Sequence, residues 1–168
     1  LRAYYKLTRP FTLIGPMLGA ILIPITALAY HDQLNLFWDL WWKILIGGFV
    51  MSCSNLASNI ANQTSDYQED SITKKYRPIP SGEISRDDAL GVGILVYGFT
   101  LTLAFLIGGN LYGFLVAIIL FCTWVYSFPP FRLKKRLFLS QLAIATPRGG
   151  VGILASWTLV ASPLDPPI

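Results

Sequence analysis

Residues 41–70 read WWKILIGGFVMSCSNLASNIANQTSDYQED, an apolar segment of membrane-spanning length followed directly by Asn62, Asp66 and Asp70. These three residues are spaced four apart, and a helix turns roughly 100° per residue, so they lie along one helix face. Carboxylates at the end of a membrane helix are costly near lipid and usually have a function. Because Mg²⁺ prefers carboxylate, phosphate and water oxygens, the pattern predicts a membrane-embedded site for Mg²⁺ and a diphosphate.

The composition places the chain in a membrane. Of its 168 residues 54% are hydrophobic and 13% are charged, against about 25% charged in an average soluble domain. Helices of roughly 20 apolar residues cross a bilayer, and the alternating pattern of a membrane β-barrel is absent from the sequence. The sequence therefore predicts an all-α membrane protein of about five transmembrane helices, at Phe11–Tyr30, Trp41–Ala61, Ala89–Ile107, Leu111–Phe128 and Leu137–Ala161.

The basic residues predict the orientation of these spans. Eleven of the 13 lysines and arginines lie in the N-terminal arm or in the segments 62–88 and 126–137, which five crossings put on one side of the membrane. By the positive-inside rule, the N-terminus and both segments are cytoplasmic, or on the equivalent side of an organelle. Such basic loops also attract anionic lipid, and they account for the net charge of +4 without a nucleic-acid partner.

The first cytoplasmic segment, 62–88, has an irregular centre. Pro78 and Pro80 exclude a regular helix, and Ser81-Gly82 is typical of a turn. Ser85, followed by two aspartates, predicts an N-cap and the start of the next helix. The cations of this segment that could neutralise phosphate oxygens are Lys74, Lys75 and Arg77. The alternative is that the acids and bases form surface ion pairs at a solvated helix end, which contribute little to stability.

The second segment, 126–137, begins with Tyr126-Ser-Phe-Pro-Pro and continues into a basic cluster that contains Arg132 and Lys134. The two prolines end the fourth span, so the cluster lies on the same side as Asp66 and Asp70. We expect the two segments to close over one cavity. The alternatives are a cluster that only fixes topology and a Tyr126 that only anchors the chain at the interface.

Arg148 lies inside the fifth predicted span. If that helix starts near Leu137, Arg148 is roughly 16 Å from its start, at about 1.5 Å per residue. A charge at this depth usually faces a cavity or a partner, and a neighbouring proline favours an interrupted helix there. Snorkelling to the lipid surface is the alternative. The two cysteines, Cys53 and Cys122, fit apolar packing positions, and the lone His31 is expected in a solvated loop.

With both segments considered, the chain resembles the UbiA superfamily of intramembrane prenyltransferases. The first aspartate-rich motif of that family, N-[D/Q]-x-x-D-x-x-x-D, is matched by Asn62, Gln63, Asp66 and Asp70. The family sequence R-P-[IL]-P-S-G is matched by residues 77–82. A Y-S pattern followed by basic residues is matched by Tyr126-Ser127 with Arg132 and Lys134.

The resemblance implies transfer of an isoprenoid chain from an allylic diphosphate to an acceptor, usually aromatic or a tetrapyrrole, inside the membrane. It implies that Asp66 and Asp70 bind Mg²⁺, with Asn62 on the same polar face. It also implies that an aromatic ring such as Tyr126 stabilises the allylic cation. The candidate diphosphate contacts are the basic residues Lys74, Lys75, Arg77, Arg132, Lys134 and Arg148.

The chain also departs from this family, which normally has about nine spans and a second aspartate-rich motif. We find no second D-x-x-x-D, and Asp165 stands alone near the end of the sequence. We therefore expect a single domain, 1–168, that corresponds to the N-terminal half of the fold, as a fragment or with a partner chain that supplies the rest.

Two other functions remain open. One is a non-catalytic or partner-dependent membrane protein that retains a prenyl-diphosphate site. The other is a CDP-alcohol phosphotransferase, whose D-G-x-x-A-R signature is absent from the sequence. The sequence does not identify the acceptor within the family, although it is closer to the homogentisate and chlorophyll branches than to the 4-hydroxybenzoate branch.

Overall fold

The computed structural model of the protein describes residues 2–164, so Asp165 lies outside the described residues. Regular structure within this range is entirely helical. The helices are α1 (Arg2–Thr8), α2 (Phe11–Tyr30), α3 (Phe37–Ser65), α4 (Tyr67–Thr73), α5 (Arg86–Ser127), α6 (Leu137–Ala145) and α7 (Gly152–Thr158). Four helical runs are long and apolar enough to cross a membrane: Phe11–Tyr30, Leu34–Ser65, Arg86–Ser127 and Leu137–Thr158. The prediction of an all-α membrane protein is confirmed.

The helix α5 is a hairpin of two spans. Its 42 residues contain one non-helical residue, Gly109, at φ 69° and ψ −164°. Tyr97 and Leu101, before the glycine, line the same cavity as Trp124 and Leu120 after it. Both pairs, 97 with 124 and 101 with 120, are centred between residues 110 and 111, as the two antiparallel arms of a hairpin require. The four long runs therefore make five crossings.

The central element of the bundle is α3, which packs on α2 and on both arms of the hairpin. The main core joins buried residues of α3 such as Val50 and Ala57 to Ala104 and Val116 of α5. The fully buried Tyr112 donates its hydroxyl to the carbonyl of Gly47 at 3.3 Å. Large apolar side chains elsewhere on the spans point outward, as a lipid environment favours.

A proline inside α2 explains one polar residue of α3. Pro16 has no N–H group, so the carbonyl of Thr12, four residues earlier, lacks its helical donor. The side chain of Asn55 supplies it: Nδ2 donates to this carbonyl at 2.8 Å. The carboxamide thus satisfies a buried backbone acceptor that would be costly to leave unpaired.

Two further carboxamides hold the break between α1 and α2, where Arg9 has φ 51°. Asn59 Nδ2 donates to the carbonyl of Thr8 at 3.1 Å, and Gln63 Nε2 donates to the carbonyl of Leu7 at 2.8 Å. Gln63 is buried, with 2% of its surface exposed. Its position in the motif therefore serves the packing of α1 against α3.

The fifth span is wound differently at its centre. Between α6 and α7 the chain forms a π-helical turn, Thr146–Val151, that contains Pro147 and Arg148. The interruption that the sequence predicts at the proline is therefore a widened turn within a continuous span. π-Turns of this kind are frequent at functional sites.

The structure confirms the predicted helix start after the first segment and corrects one loop residue. Ser85 is the N-cap of α5, and its hydroxyl accepts a hydrogen bond from the Asp88 N–H at 3.0 Å. The expectation that His31 is solvated is wrong. His31 is 4% exposed, because it packs edge-on against the rings of Tyr30 and Trp157 at the end of α2.

Candidate functional site

The predicted row of Asn62, Asp66 and Asp70 crosses the junction between α3 and α4. Asp66 is the residue between the two helices, at φ −94° and ψ 11°. The backbone bonds still connect residues four apart, from Asp66 N–H to the Asn62 carbonyl at 2.9 Å and from Asp70 N–H to the Asp66 carbonyl at 2.8 Å. The row keeps helical spacing, but the two carboxylates bind different cations.

Asp70 is held by cations of the first segment. Its side chain is 2% exposed and forms an ion pair with Arg77, and its Oδ1 lies 3.4 Å from Lys74 Nζ. Both cations follow Asp70 in sequence, where the chain turns back at Pro78. A buried carboxylate requires such partners, because an unpaired charge in a low dielectric is strongly destabilising.

Asp66 is held by cations of the second segment. Lys134 Nζ contacts Asp66 Oδ1 and also donates to Ser65 Oγ at 2.6 Å. Arg132 lies 3.9 Å from the same carboxylate and donates to the Ser65 carbonyl at 3.1 Å. The structure thus brings the segments 62–88 and 126–137 together at the end of α3.

Glu69 is a member of this site that the sequence analysis missed. Its carboxylate accepts from Arg132 at 3.0 Å and lies 3.3 Å from Lys135 Nζ. A hydrogen bond from its own backbone and one from Lys135 hold the pKa of Glu69 below its ordinary value. The motif spacing does not include this residue; only its place on the exposed side of α4 brings it to the second segment.

The site carries an excess of positive charge. Three carboxylates meet five cations in the ion pairs between and within the two segments. The carboxylates are Asp66, Glu69 and Asp70, and the cations are Lys74, Arg77, Arg132, Lys134 and Lys135. Clustered cations in excess of their counter-ions favour binding of a multiply charged anion.

Arg132 has an unusual backbone and an unpaired donor. Its φ of 40° lies in the left-handed region, which is strained for a residue other than glycine and is found most often at functional sites. Its Nε is one of four buried side-chain polar atoms in the described part of the chain that lack a hydrogen-bond partner. Burial also lowers the pKa of Lys134 next to it, an effect that the hydrogen bond to Asp66 opposes.

The remaining predicted residues lie at different distances from this cluster. Ser127 Oγ donates to Asn62 Oδ1 at 2.9 Å, so the end of α5 contacts the first residue of the motif. The adjacent Tyr126 is half-buried, and the hydrogen bonds recorded for residues 2–164 include none from its side chain. Lys75 is exposed and forms no ion pair with a described residue.

Arg148 is not part of the cluster between the two segments. It donates to Asn55 Oδ1 at 3.1 Å, and Asn55 precedes Asp66 by 11 residues, which is about 16 Å along α3. Both residues line a cavity of about 300 Å³ among α2, α3, the second arm of α5 and the fifth span. The structure thus places Arg148 in this cavity, as expected from the sequence, and apart from the other candidate diphosphate contacts.

The oxygen donors of the row suit a hard divalent cation. Asp66, Asp70 and the side-chain carbonyl of Asn62 are the ligand types that Mg²⁺ accepts, and the ion leaves positions for water or phosphate. Within residues 2–164 no three acidic, histidine or cysteine side chains converge closely enough to hold a metal alone.

Comparison with known proteins shows the family. The model of the UbiA prenyltransferase family matches residues 13–168. A probable homogentisate phytyltransferase 2 of Oryza sativa is 32% identical over 145 residues, which are 86% of this chain and 38% of that protein. A digeranylgeranylglyceryl phosphate synthase of Saccharolobus solfataricus is 30% identical over 146 residues, 87% of this chain and 48% of that protein.

A third relative, the homogentisate solanesyltransferase of Arabidopsis thaliana, is 32% identical over 150 residues, 88% of this chain and 38% of that protein. The chain thus spans less than half the length of these three curated relatives. No solved structure matches it significantly. The family model covers nearly the whole chain, and together with the apolar spans it identifies a multi-pass membrane protein that belongs to the UbiA prenyltransferase family.

Proposed function

We propose that this chain binds a prenyl diphosphate for Mg²⁺-dependent transfer of the isoprenoid chain to an acceptor within the membrane. The observation that carries the proposal is the cluster of five cations and three carboxylates at the end of α3. Its excess positive charge, its carboxylate row and its position at the mouth of an apolar bundle are the features that a charged headgroup on a lipid chain requires.

The metal ligands in this proposal are Asp66 and Asp70, with Asn62 as a further oxygen donor. A bound Mg²⁺ would neutralise charge on the diphosphate and so favour its departure. In the ion-paired arrangement, Lys134 contacts Asp66 and Arg77 contacts Asp70. We expect both cations to exchange these carboxylates for phosphate oxygens when the ligand enters, because Mg²⁺ would then engage the carboxylates and phosphate oxygens are equally charge-assisted partners.

The same cations stabilise the leaving group during the reaction. The allylic C–O bond breaks and its electron pair leaves with the diphosphate; the acceptor then forms a bond to the allylic carbon and loses a proton. The guanidinium groups of Arg77 and Arg132 and the ammonium groups of Lys74 and Lys134 face the charge that develops on the diphosphate. Lys75 is exposed on the same segment and could contribute to the first attraction of the anion.

The bundle supplies the apolar surroundings that an allylic cation needs. Water would trap such a cation, and a membrane helix bundle excludes water from the reaction. Tyr126 lies at the end of α5 beside Ser127, which contacts Asn62. We propose that its ring stabilises the cation through its π face, a role that does not require its hydroxyl to be hydrogen-bonded.

The acceptor is proposed only as a class. The names of the relatives point to homogentisate for two plant enzymes and to a glyceryl phosphate lipid for an archaeal enzyme. An aromatic or tetrapyrrole acceptor with a largely apolar body fits the apolar bundle of this chain. We also propose that the site faces the cytoplasm or its organellar equivalent, because its residues lie in the two basic segments, which the positive-inside rule assigns to that side.

The direct test is a radiolabelled prenyl-transfer assay with membranes from cells that express the full reading frame of the gene. Mg²⁺ or EDTA is added, and homogentisate, 4-hydroxybenzoate, a naphthoate, chlorophyllide and a prenylglycerol phosphate are supplied as acceptors. We expect label in one acceptor with Mg²⁺ only, and its loss in Asp66→Ala and Asp70→Ala. Full activity in both variants would refute the proposed metal site. Mg²⁺-dependent binding of the prenyl diphosphate without any transfer would favour the non-catalytic or partner-dependent alternative.

A further inference from the structure

The cavity deeper in the bundle has a single charged residue among those that line it. Its polar lining comes from Ser54, Asn55, Ser58, Thr123, Arg148 and Ser156, and the rest of the wall is apolar or glycine. The volume of about 300 Å³ is at the lower end for small-molecule sites. Four of the five spans contribute to the cavity, and Arg148 lies at its open side, exposed in the part of the bundle that the structure describes.

Asn55 fixes the direction of Arg148. Its Nδ2 is committed to the Thr12 carbonyl that Pro16 leaves without a donor, at 2.8 Å. The other end of the carboxamide, Oδ1, must then face the cavity, where it accepts from Arg148 at 3.1 Å. A backbone requirement in α2 thus determines where a guanidinium on the fifth span points.

The charge of Arg148 lacks a counter-ion in residues 2–164, because none of the ion pairs among these residues includes it. A guanidinium has five N–H donors. Among the described residues, Asn55 accepts one hydrogen bond from the guanidinium of Arg148, through its Oδ1. An arginine at membrane depth normally faces a cavity and pairs with an anion. The chemistry of the cavity therefore suits a small anion attached to an apolar body.

The cavity lies on the same side of α3 as the carboxylate row. Asn55 precedes Asn62 by seven residues, which is two helical turns or about 10 Å, and differs from it by only about 20° around the helix. A ligand that holds its anion at Arg148 can therefore extend along α3 toward the diphosphate cluster. The separation leaves room for one aromatic ring or a short chain between the two sites.

We propose that Arg148, oriented by Asn55, binds the anionic group of the acceptor, a carboxylate or a phosphate, and so determines which acceptor is prenylated. The proposal rests on the proposed function and deepens it, because it assigns Arg148 to the acceptor rather than to the diphosphate. Binding at the anion places the nucleophilic atom of the acceptor toward the allylic carbon, and this orientation is a large part of catalysis between two bound substrates.

The test measures equilibrium binding to the detergent-purified product of the full reading frame. The carboxylate arm compares homogentisate with methylhydroquinone, the same ring without the carboxylate. The phosphate arm compares geranylgeranylglyceryl phosphate with geranylgeranylglycerol. A non-transferable prenyl thiolodiphosphate with Mg²⁺ is measured separately. The variants are Arg148→Met, Arg148→Gln, Asn55→Asp and Asp66→Asn, with Arg2→Met, an exposed arginine of α1, as the matched control.

We expect the wild-type protein to prefer the anion in one arm, which identifies the anion as carboxylate or phosphate. Arg148→Met should weaken binding of that anion by about 10- to 100-fold, the range for a charge-assisted hydrogen bond, and leave the neutral counterpart unchanged. Asn55→Asp should also remove the preference, because it gives Arg148 an internal carboxylate, but it removes the donor to the Thr12 carbonyl as well. Arg148→Gln leaves Asn55 intact and keeps a polar side chain in the cavity; it should lose the preference equally and decides the question if the other two variants do not fold. Arg2→Met should bind as the wild type does.

Three results would overturn the inference: no preference for the anion in either arm, an equal loss for anionic and neutral probes, or an effect of Arg148→Met on the thiolodiphosphate alone. The proposed function fails separately, if the wild-type protein does not bind the thiolodiphosphate with Mg²⁺ or if Asp66→Asn binds it equally well. Because the two ligands are measured independently, failure of one conclusion is distinguishable from failure of the other.

Discussion

Ser127, the last residue of α5, donates a hydrogen bond of 2.9 Å to the side-chain carbonyl of Asn62. The two residues are 65 positions apart, and the bond joins the end of the hairpin to the start of the aspartate row. It leaves the second lone pair of the Asn62 carbonyl available to a metal or a phosphate-bound water. The position of the first motif residue therefore depends on how the hairpin closes.

Ser127→Ala should weaken Mg²⁺-dependent binding of a prenyl diphosphate without abolishing it. The variant removes one neutral hydrogen bond, which contributes roughly 0.5–1.5 kcal/mol, so we expect a loss of affinity of about 2- to 10-fold. Titration of the purified protein with prenyl thiolodiphosphate measures it. Ser140→Ala is the matched control, because this hydroxyl bonds only to the Leu137 carbonyl of its own helix. Equal losses in the two variants would contradict a specific role for Ser127.

The adjacent motif residues Asn62 and Gln63 should give opposite phenotypes. Gln63→Leu leaves the buried carbonyl of Leu7 without its donor, which costs about 1–3 kcal/mol, so thermal stability should fall while diphosphate affinity is retained. Asn62→Ala should lower the affinity for Mg²⁺ and diphosphate with little loss of stability. Thermal unfolding in detergent and ligand titration, made on both variants, measure the two effects. A Gln63→Leu protein that is stable but does not bind would place this residue in the site instead.

This contrast shows where the sequence is ambiguous. Asn55, Asn59 and Gln63 are also spaced four apart, like Asn62, Asp66 and Asp70, and both rows are polar. Spacing predicts that each row shares a face, but the two rows differ by only about 20° around the helix, so spacing does not reveal which row meets α2. The carbonyls freed by Pro16 and by the break at Arg9 decide that, and they belong to another part of the chain.

The spans, the irregular centre of the first segment and the cap at Ser85 follow from local composition and could be predicted. The pairing of cations with carboxylates could not. Lys134 and Asp66 are 68 residues apart, and only the closure of the bundle brings them together. Glu69 was missed for the same reason, since its partners lie in the second segment.

Gly109→Ala should destabilise the hairpin between the third and fourth crossings. Its φ of 69° with ψ of −164° is accessible almost only to glycine, and a side chain there costs about 1–3 kcal/mol although the space around it is open. The matched control is Gly98→Ala, in the interior of the first arm, where a methyl group meets nothing within 4 Å and helix propensity favours alanine. Thermal unfolding in detergent should show a loss for the first variant and no loss for the second. Equal stability would mean that the turn adopts another conformation.

Arg77→Met should destabilise the protein by several kcal/mol, because it removes an ion-pair partner from Asp70, which is 2% exposed. Breaking a buried ion pair costs about 3–5 kcal/mol, and the remaining contact with Lys74 should reduce that cost. The double variant Asp70→Asn/Arg77→Met should be more stable than Arg77→Met alone, since it removes the uncompensated charge. A double-mutant cycle of unfolding free energies measures the coupling. If the changes in unfolding free energy of the two single variants add up to that of the double variant, the ion pair contributes nothing to stability.

Labelling of single cysteines should place the hairpin turn across the membrane from the site. The chain has two native cysteines, Cys53 and Cys122, both within spans, so they can be replaced without altering a loop. Cysteines introduced at the exposed positions Asn35 and Asn110 should react with an impermeant maleimide in intact cells or organelles. Cysteines introduced at the exposed positions Tyr76 and Arg136 should react only after permeabilisation, because the positive-inside rule places the basic segments on the cytoplasmic side or its organellar equivalent.

The pattern of labelling separates two conclusions. Five crossings require Asn110 to label with Asn35, because the chain turns back at Gly109 after the third crossing. If all four positions exchange sides, the crossings are correct and only the predicted orientation is wrong. If Asn110 labels with Tyr76, the arms of α5 do not cross as a hairpin. In that case Ser127 could not reach Asn62 from the fourth span, and the hydrogen bond that joins the hairpin to the aspartate row would not form.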